Sequence, residues 1–231
     1  MKEIKDRSQL QSYIDTFQLE HIFNQQLHPY LSLYSFEEGE LICSQGEPSE
    51  YLYVLVKGKV KIYTNSAEGK TLILSFKTPL EVIGDLEYVQ GIDFVNTVEA
   101  VSSVSMIGIH HRWLKKHVKD HAPFLQFLLE IITKKFHVKS KSTSLTILYP
   151  VEVRLASYLM SVSLDESVSL NKSQIRINIK DTANLIGTSY RHLNRVIAQL
   201  GDDGLIERNK GFILVKDRER LQMLAGDNIY E

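Results

Sequence analysis

The sequence predicts an α+β fold in which a β jelly-roll of short strands precedes one long helix and then a helix–turn–helix closed by a hairpin wing. Three observations carry this. Between Tyr30 and His110, runs rich in Val, Ile, Tyr and Phe recur with glycines between them, the texture of about eight short strands in a jelly-roll or small barrel. From Pro123 to Phe136 the apolar residues return at helical spacing instead. From Lys180 to Asp203, KDTANLIGTSYRHLNRVIAQLGDD, two helical patterns flank a glycine.

Composition bounds the rest. The 231 residues form one large domain or two of ordinary size and can bury a real core. A net charge of −1 draws the chain globally to neither nucleic acid nor membrane, so any DNA contact needs a local basic patch. The single cysteine, Cys43, excludes an internal disulfide framework and a cluster needing several thiolates from one chain. That usage fits a reducing cytoplasm, where the chain is expected. The N-terminal MKEIKDRSQLQ is polar, unlike a signal peptide, and no apolar run is long enough to span a membrane.

In chain order, residues 1–29 read as a helical segment. Leu10, Ile14, Phe17, Leu19, Ile22, Phe23 and Leu27 suggest one or two short helices from about Ser8 to Leu27. Residues 30–112 are the β-domain: Tyr51 to Val56 reads as a buried strand, Val60 to Tyr63 as a partly alternating one, and Gly39, Gly46, Gly58, Gly69 and Gly84 mark turns. Residues 113–148 hold the end of a short helix starting near His111, then the long one. Phe124, Leu125, Leu128, Leu129, Ile132 and Phe136 make a wide apolar face on it. Such a face needs cover, from a second copy of the chain or from the helix's own β-domain, and both can hold along its length. The polar KSKSTS, Lys139 to Ser144, interrupts the stripe.

Residues 149–231 form the C-terminal unit. Val151, Leu155, Leu159 and Val162 face one way on a helix, SLDESVSLNKS is a surface connection, and Ile175, Ile177 and Ile179 alternate as a strand. Gly187 suits the left-handed end of the next helix. Thr188 or Ser189 can cap the one after it. There Leu193, Val196, Ile197 and Leu200 form a buried stripe. Ser189, Tyr190, Arg191, His192, Asn194 and Arg195 lie at its front or on its polar face, where no residue is acidic. That chemistry suits a DNA major groove. GLIERNKGFILVKD reads as a hairpin turning at Asn209-Lys210-Gly211, with Arg208 and Lys210 placed near phosphates.

Jelly-roll, long helix and winged helix–turn–helix in this order resemble the Crp/Fnr family of transcription regulators over nearly the whole chain. The glycine framework stands as Glu38-Gly39-Glu40-Leu41-Ile42, Gln45-Gly46-Glu47, Val56-Lys57-Gly58-Lys59-Val60, Gly69 and Ile83-Gly84-Asp85. Gly187-Thr188-Ser189-Tyr190-Arg191-His192-Leu193 and Asp203-Gly204-Leu205-Ile206 look most like the YeiL regulators. The resemblance implies a cyclic-nucleotide-binding-like jelly-roll and a homodimeric, sequence-specific DNA-binding regulator. Its implied partners are double-stranded DNA, a second copy, RNA polymerase and an unidentified small-molecule effector, if one exists; it implies no enzyme activity, cofactor or metal.

Departures from the family pattern sharpen this. The cyclic-nucleotide phosphate site needs an arginine where this chain has Phe94-Val95-Asn96, following Gly84-Asp85-Leu86. Without that arginine, and with Asp85 and Asp93 nearby, the site is hostile to a phosphate, so dependence on cyclic AMP is not expected. Family ligand contacts from the long helix fall on Lys139 and Ser140. Pairing of Lys139 with Asp85 or Glu87 would fill the pocket; capture of another anion by Lys139 is the alternative. In the recognition helix the family's Glu-x-x-x-Arg becomes Arg191-x-x-x-Arg195, which exchanges a cytosine-reading acceptor for a donor suited to guanine or phosphate.

Other side chains read more plainly. Cys43 is expected as a small buried strand residue rather than a thiol sensor. His117 and His121 fit a solvated helix corner better than half a metal site. A jelly-roll metal enzyme would need histidines on the strands, and residues 31–109 contain none. A protein-interaction adaptor that kept the winged helix without DNA binding is the remaining alternative; the basic face argues against it.

Overall fold

The computed structural model describes residues 1–69, 71–165 and 174–226. Most of SLDESVSLNKS, the expected surface connection, lies outside the described residues. The chain divides into two compact units, Met1–Phe136 and His137–Glu231.

The first unit begins with β1 (Lys2–Ile4) and α1 (Arg7–Thr16). The strands β2 (Ser32–Phe36), β3 (Leu41–Cys43), β4 (Tyr51–Lys57), β5 (Val60–Asn65), β6 (Thr71–Lys77) and β7 (Glu81–Ile83) follow. Then come α2 (Asp85–Gln90), β8 (Thr97–Ala100), β9 (Val104–His110) and α3 (His111–His117). Two antiparallel sheets form, in the orders β1-β2-β9-β4-β7 and β3-β8-β5-β6. One core lies between them, built on Phe36, Leu55, Val60, Val98 and Met106. The other face of the larger sheet, with Leu33, Leu52, Val54 and Ile107, packs on helical residues including Leu10, Ile14, Leu114 and Phe124. This two-sided burial explains why Tyr51 to Val56 does not alternate: successive side chains enter two different apolar layers.

At the N-terminus one α-helix forms of the one or two expected, and a short strand precedes it. The helix stops at Thr16, and Gln18 takes a positive φ of 54°. Leu19, Phe23 and Leu27 are nevertheless fully buried, so their spacing reported burial rather than a second helix. Strand β1 was not anticipated because its polar residues sit on an edge, pairing Lys2 with Ser35 and Ile4 with Leu33.

Helix α4 (Ala122–Leu148) continues through KSKSTS. Its small hydroxyls bond back along the helix, Ser144 Oγ to Ser140 O and Thr146 Oγ1 to Ser142 O, each at 3.0 Å. The single apolar face expected on α4 is in fact divided. Phe124 and Leu128, expected at a dimer seam, are buried with Phe127 in the first unit's own core. Leu125, Leu129 and Phe136 are exposed, the last by 74%, and Ile132 is half-buried. Positions four apart share a stripe, so Phe124 and Leu128 turn inward together while Leu125 and Leu129, one step round, turn out.

The second unit contains α5 (Val151–Asp165), β10 (Gln174–Arg176), α6 (Ile179–Leu185), α7 (Tyr190–Asp202), β11 (Ile206–Asn209), β12 (Phe212–Val215) and α8 (Arg218–Ala225). The strands form one sheet in the order β10-β12-β11. Helix α8 was not foreseen; Asp217 caps it by accepting from Arg220 N. No helix among the described residues is long and apolar enough to cross a membrane.

Candidate nucleic-acid interface and ligand pocket

The turn between α6 and α7 is built from Gly187. Its φ of +67° is left-handed, and an added Cβ would meet Thr146 Cγ2 at 3.2 Å and Arg154 Nη1 at 3.4 Å. Both conformation and space therefore favour glycine. Thr188 N donates back to Ala183 O at 2.9 Å, closing the end of α6. Beneath the turn lies Arg154 of α5, 8% exposed, whose Nη1 donates to the carbonyls of Ile186 and Gly187. A buried guanidinium thus neutralises carbonyls left open at a helix C-terminus. Arg154 stands three residues after Val151 and beside Leu155 on an apolar stripe, and a lone charge at such a position is the signal that the sequence offers for it.

Of the two expected caps, Ser189 serves: its Oγ accepts from His192 N at 3.1 Å. Leu193, Val196, Ile197 and Leu200 are buried. Tyr190 is 56% exposed, Arg191 and Arg195 are exposed, and His192 is half-buried. Lys210 is exposed at the wing turn. Among the described residues, no side-chain hydrogen bond or ion pair engages the side chains of Arg191, Arg195 or Lys210. Asn194 and Arg208 are different. Asn194 Nδ2 donates to Tyr190 O at 2.8 Å, and its Oδ1 accepts from Arg208 Nη1 at 2.6 Å.

In the first unit, the pocket residues are already engaged. Gly84, with φ +87°, lets the backbone turn into α2; a Cβ there would lie 2.6 Å from Tyr51 O. Asp85, Glu87 and Glu81 are all buried. The expected pairing of Asp85 with Lys139 is overturned. Lys135 makes it, with Nζ 2.9 Å from Asp85 Oδ1, 3.0 Å from Oδ2 and 3.1 Å from Glu81 Oε1. Lys135 Nζ also donates to the Val82 carbonyl. Lys139 and Ser140 are exposed on α4. The register explains the shift: counting by helical spacing from Phe124, Leu128 and Ile131 reaches Lys135, whereas Lys139 lies one turn further along. Glu87 does not pair with Lys139 either; its Oε1 accepts from Val95 N at 3.1 Å. Phe94 is buried and Val95 half-buried.

Cys43 and the histidines around α3 serve packing and capping. Cys43 is buried and its thiol is pushed up to about 12, chiefly by burial and then by the Glu87 carboxylate, the opposite of a reactive thiolate. His117 is half-buried, not solvated; it stacks on Tyr30 at 5.3 Å beside Trp113 at 6.0 Å. His110 caps α3, its Nδ1 accepting from Arg112 N. His111 is buried and pushed down to about 4, mainly by desolvation. No group of three or more metal-ligating side chains forms among the described residues.

Comparison with known proteins agrees with both units. A cyclic nucleotide-binding domain model matches residues 33–121, and a Crp-like helix-turn-helix domain model matches residues 153–224. The chain is 22% identical over 194 residues to the CRP-like cAMP-activated global transcriptional regulator of Mycobacterium tuberculosis, covering 82% of this chain and 86% of that protein. It is 24% identical over 193 residues to the regulatory protein YeiL of Escherichia coli O157:H7, covering 84% and 85%. Among solved structures, a Crp/Fnr-family protein of Eubacterium rectale superposes with a TM-score of 0.78 at 20% identity, covering 93% of this chain and 99% of that one. The c-di-GMP responsive global regulator CLP of Xanthomonas campestris superposes at 0.76 with 16% identity, covering 89% and 98%.

Proposed function

The chain belongs to the Crp/Fnr family of transcription regulators, and from that premise we propose that it acts as a homodimeric, sequence-specific DNA-binding regulator that does not depend on cyclic AMP. One observation carries the DNA reading: Tyr190, Arg191 and Arg195 stand exposed on α7 while Leu193, Val196, Ile197 and Leu200 anchor its other side. Arg191 and Arg195, one turn apart, present two guanidinium forks to guanine edges or phosphate. Lys210 supplies a phosphate contact from the wing.

The exposed Leu125, Leu129 and Phe136, with Ile132 beside them, support self-association through α4. Two copies would present two recognition helices to inverted half-sites about one helical turn apart. RNA polymerase is the proposed downstream partner, and the cytoplasm the proposed place of action.

Independence from cyclic AMP rests on the pocket. Phe94-Val95-Asn96 offers no cation to a phosphate, and the Glu87 carboxylate already takes the Val95 amide. Asp85 is neutralised by Lys135. A cyclic nucleotide would have to displace these internal contacts and set its charge beside Glu87.

Selection of bound sequences from random duplex DNA, followed by a salt series on the winner, tests the DNA reading. An inverted repeat bound with a steep salt dependence is expected; no preference at any salt would favour the adaptor alternative. Millimolar cyclic AMP should change neither melting temperature nor DNA affinity, because a ligand that binds the native state must stabilise it.

A further inference from the structure

A side-chain hydrogen bond joins the wing to the recognition helix. Asn194 lies on α7, four residues after Tyr190, and its amide nitrogen is tied to the Tyr190 carbonyl at 2.8 Å. This fixes the orientation of the amide plane and turns Oδ1 toward β11, where Arg208 Nη1 reaches it at 2.6 Å. Arg208 is two residues after the buried Ile206 on the same strand, so both belong to the strand face that packs toward α7. Glu207 lies on the opposite side of the strand and pairs with Lys216 at 2.6 Å. Arg208 therefore sits on the recognition-helix side because strand alternation puts it there, and Asn194 meets it.

Those two bonds take one lone pair of Asn194 Oδ1 and one of its amide hydrogens, and they set the amide plane along the line from Tyr190 to Arg208. Reading adenine needs both the oxygen and the nitrogen of an Asn side chain aimed at one base edge, so Asn194 would have to give up these bonds to do it. Arg208 gives one nitrogen to Asn194 and keeps further N–H groups in a fixed fork.

We infer that Asn194 is a positioning residue that reads no base: it straps the wing to the recognition helix and holds the Arg208 guanidinium toward the flanking phosphate. Base reading is left to Arg191, Arg195 and Tyr190. The inference rests on the DNA-binding reading for its consequence, and on the free protein for its geometry.

Two measurements test it. Hydrogen exchange on the free protein reads the strap without DNA: Asn194→Ala should speed exchange of the β11 and β12 amides relative to α6, and Arg208→Ala should do the same. Unchanged wing exchange in both variants would overturn the strap, whatever DNA does. On DNA, each single variant should weaken binding about 3- to 10-fold, the worth of one exposed hydrogen bond. The double variant should bind no more weakly than either single one. Both singles should flatten the salt dependence equally, as loss of one phosphate contact does. The selected sequence should be unaltered by Asn194→Ala; a changed preference at a single position would make Asn194 a base reader and refute the assignment. Failure of the wild type to select any sequence would count against the DNA reading alone, since the exchange measurement still decides the strap.

Discussion

Lys135→Met should destabilise the first unit and leave the second unchanged. Lys135 Nζ is the cation for two carboxylates, Asp85 and Glu81, whose side chains are only 6% and 10% exposed. Removing one member of a fully buried ion pair costs about 3–5 kcal/mol, because the other charge stays behind. Two features reduce that here. The Lys135 side chain is 31% exposed, so water screens the site, and Lys77 Nζ remains 3.8 Å from Glu81 Oε2. Methionine also keeps most of the aliphatic stem. The expected loss is about 2 kcal/mol. At roughly 3–4 °C per kcal/mol for a unit of this size, the first calorimetric transition should fall by about 7 °C. Lys139→Met is the control: an exposed lysine should shift it by under about 1 °C. Equal shifts in the two variants, or no shift in Lys135→Met, would refute the pairing that underlies the filled pocket.

Further expectations concern the other sites. Arg195→Ala should relax sequence preference at one position and cost about 1–3 kcal/mol, whereas Lys210→Ala should weaken all sequences alike in a gel shift. Leu129→Glu or Phe136→Glu should yield monomers in sedimentation with an unchanged first transition, while Leu128→Glu, with its side chain 4% exposed, should unfold the first unit instead. Gly187→Ala should cost about 1–2 kcal/mol from its positive φ alone, visible as a lowered second transition. His111 is held neutral in the fold, with its pKa lowered to about 4. The unfolded chain then binds more protons between pH 6.5 and about 4, so stability is full above that window and falls as pH drops through it, by at most about 1.4 kcal/mol per unit. His111→Phe should flatten that part of a pH–melting curve.

Much of the molecule was legible in the order of its residues because periodicity and glycine placement are local quantities. The stripe Leu193, Val196, Ile197, Leu200 defines which side of α7 is buried, so the exposure of Tyr190, Arg191 and Arg195 follows from 3.6-residue geometry alone. Gly187 and Ser189 announced the turn and the cap by their own backbone chemistry. The absence of an arginine from Phe94-Val95-Asn96 likewise needed no coordinates.

What only the tertiary structure decided were the choices between equivalent local patterns. The apolar face of α4 is wide enough to serve two surfaces, and nothing in its sequence says that Phe124 and Leu128 meet the β-domain while Leu129 and Phe136 meet solvent. Lys135 and Lys139 are both lysines on one helix, one turn apart; the position of Asp85 at the start of α2 selects the first. Arg154 under the turn, Glu87 on the Val95 amide and Arg208 on Asn194 join residues 33, 8 and 14 positions apart in sequence. Such pairings depend on where the backbone returns, and sequence spacing carries no information about that. A residue's type tells what it can bond, whereas its partner is set by the packing of elements that the chain brings together only when folded.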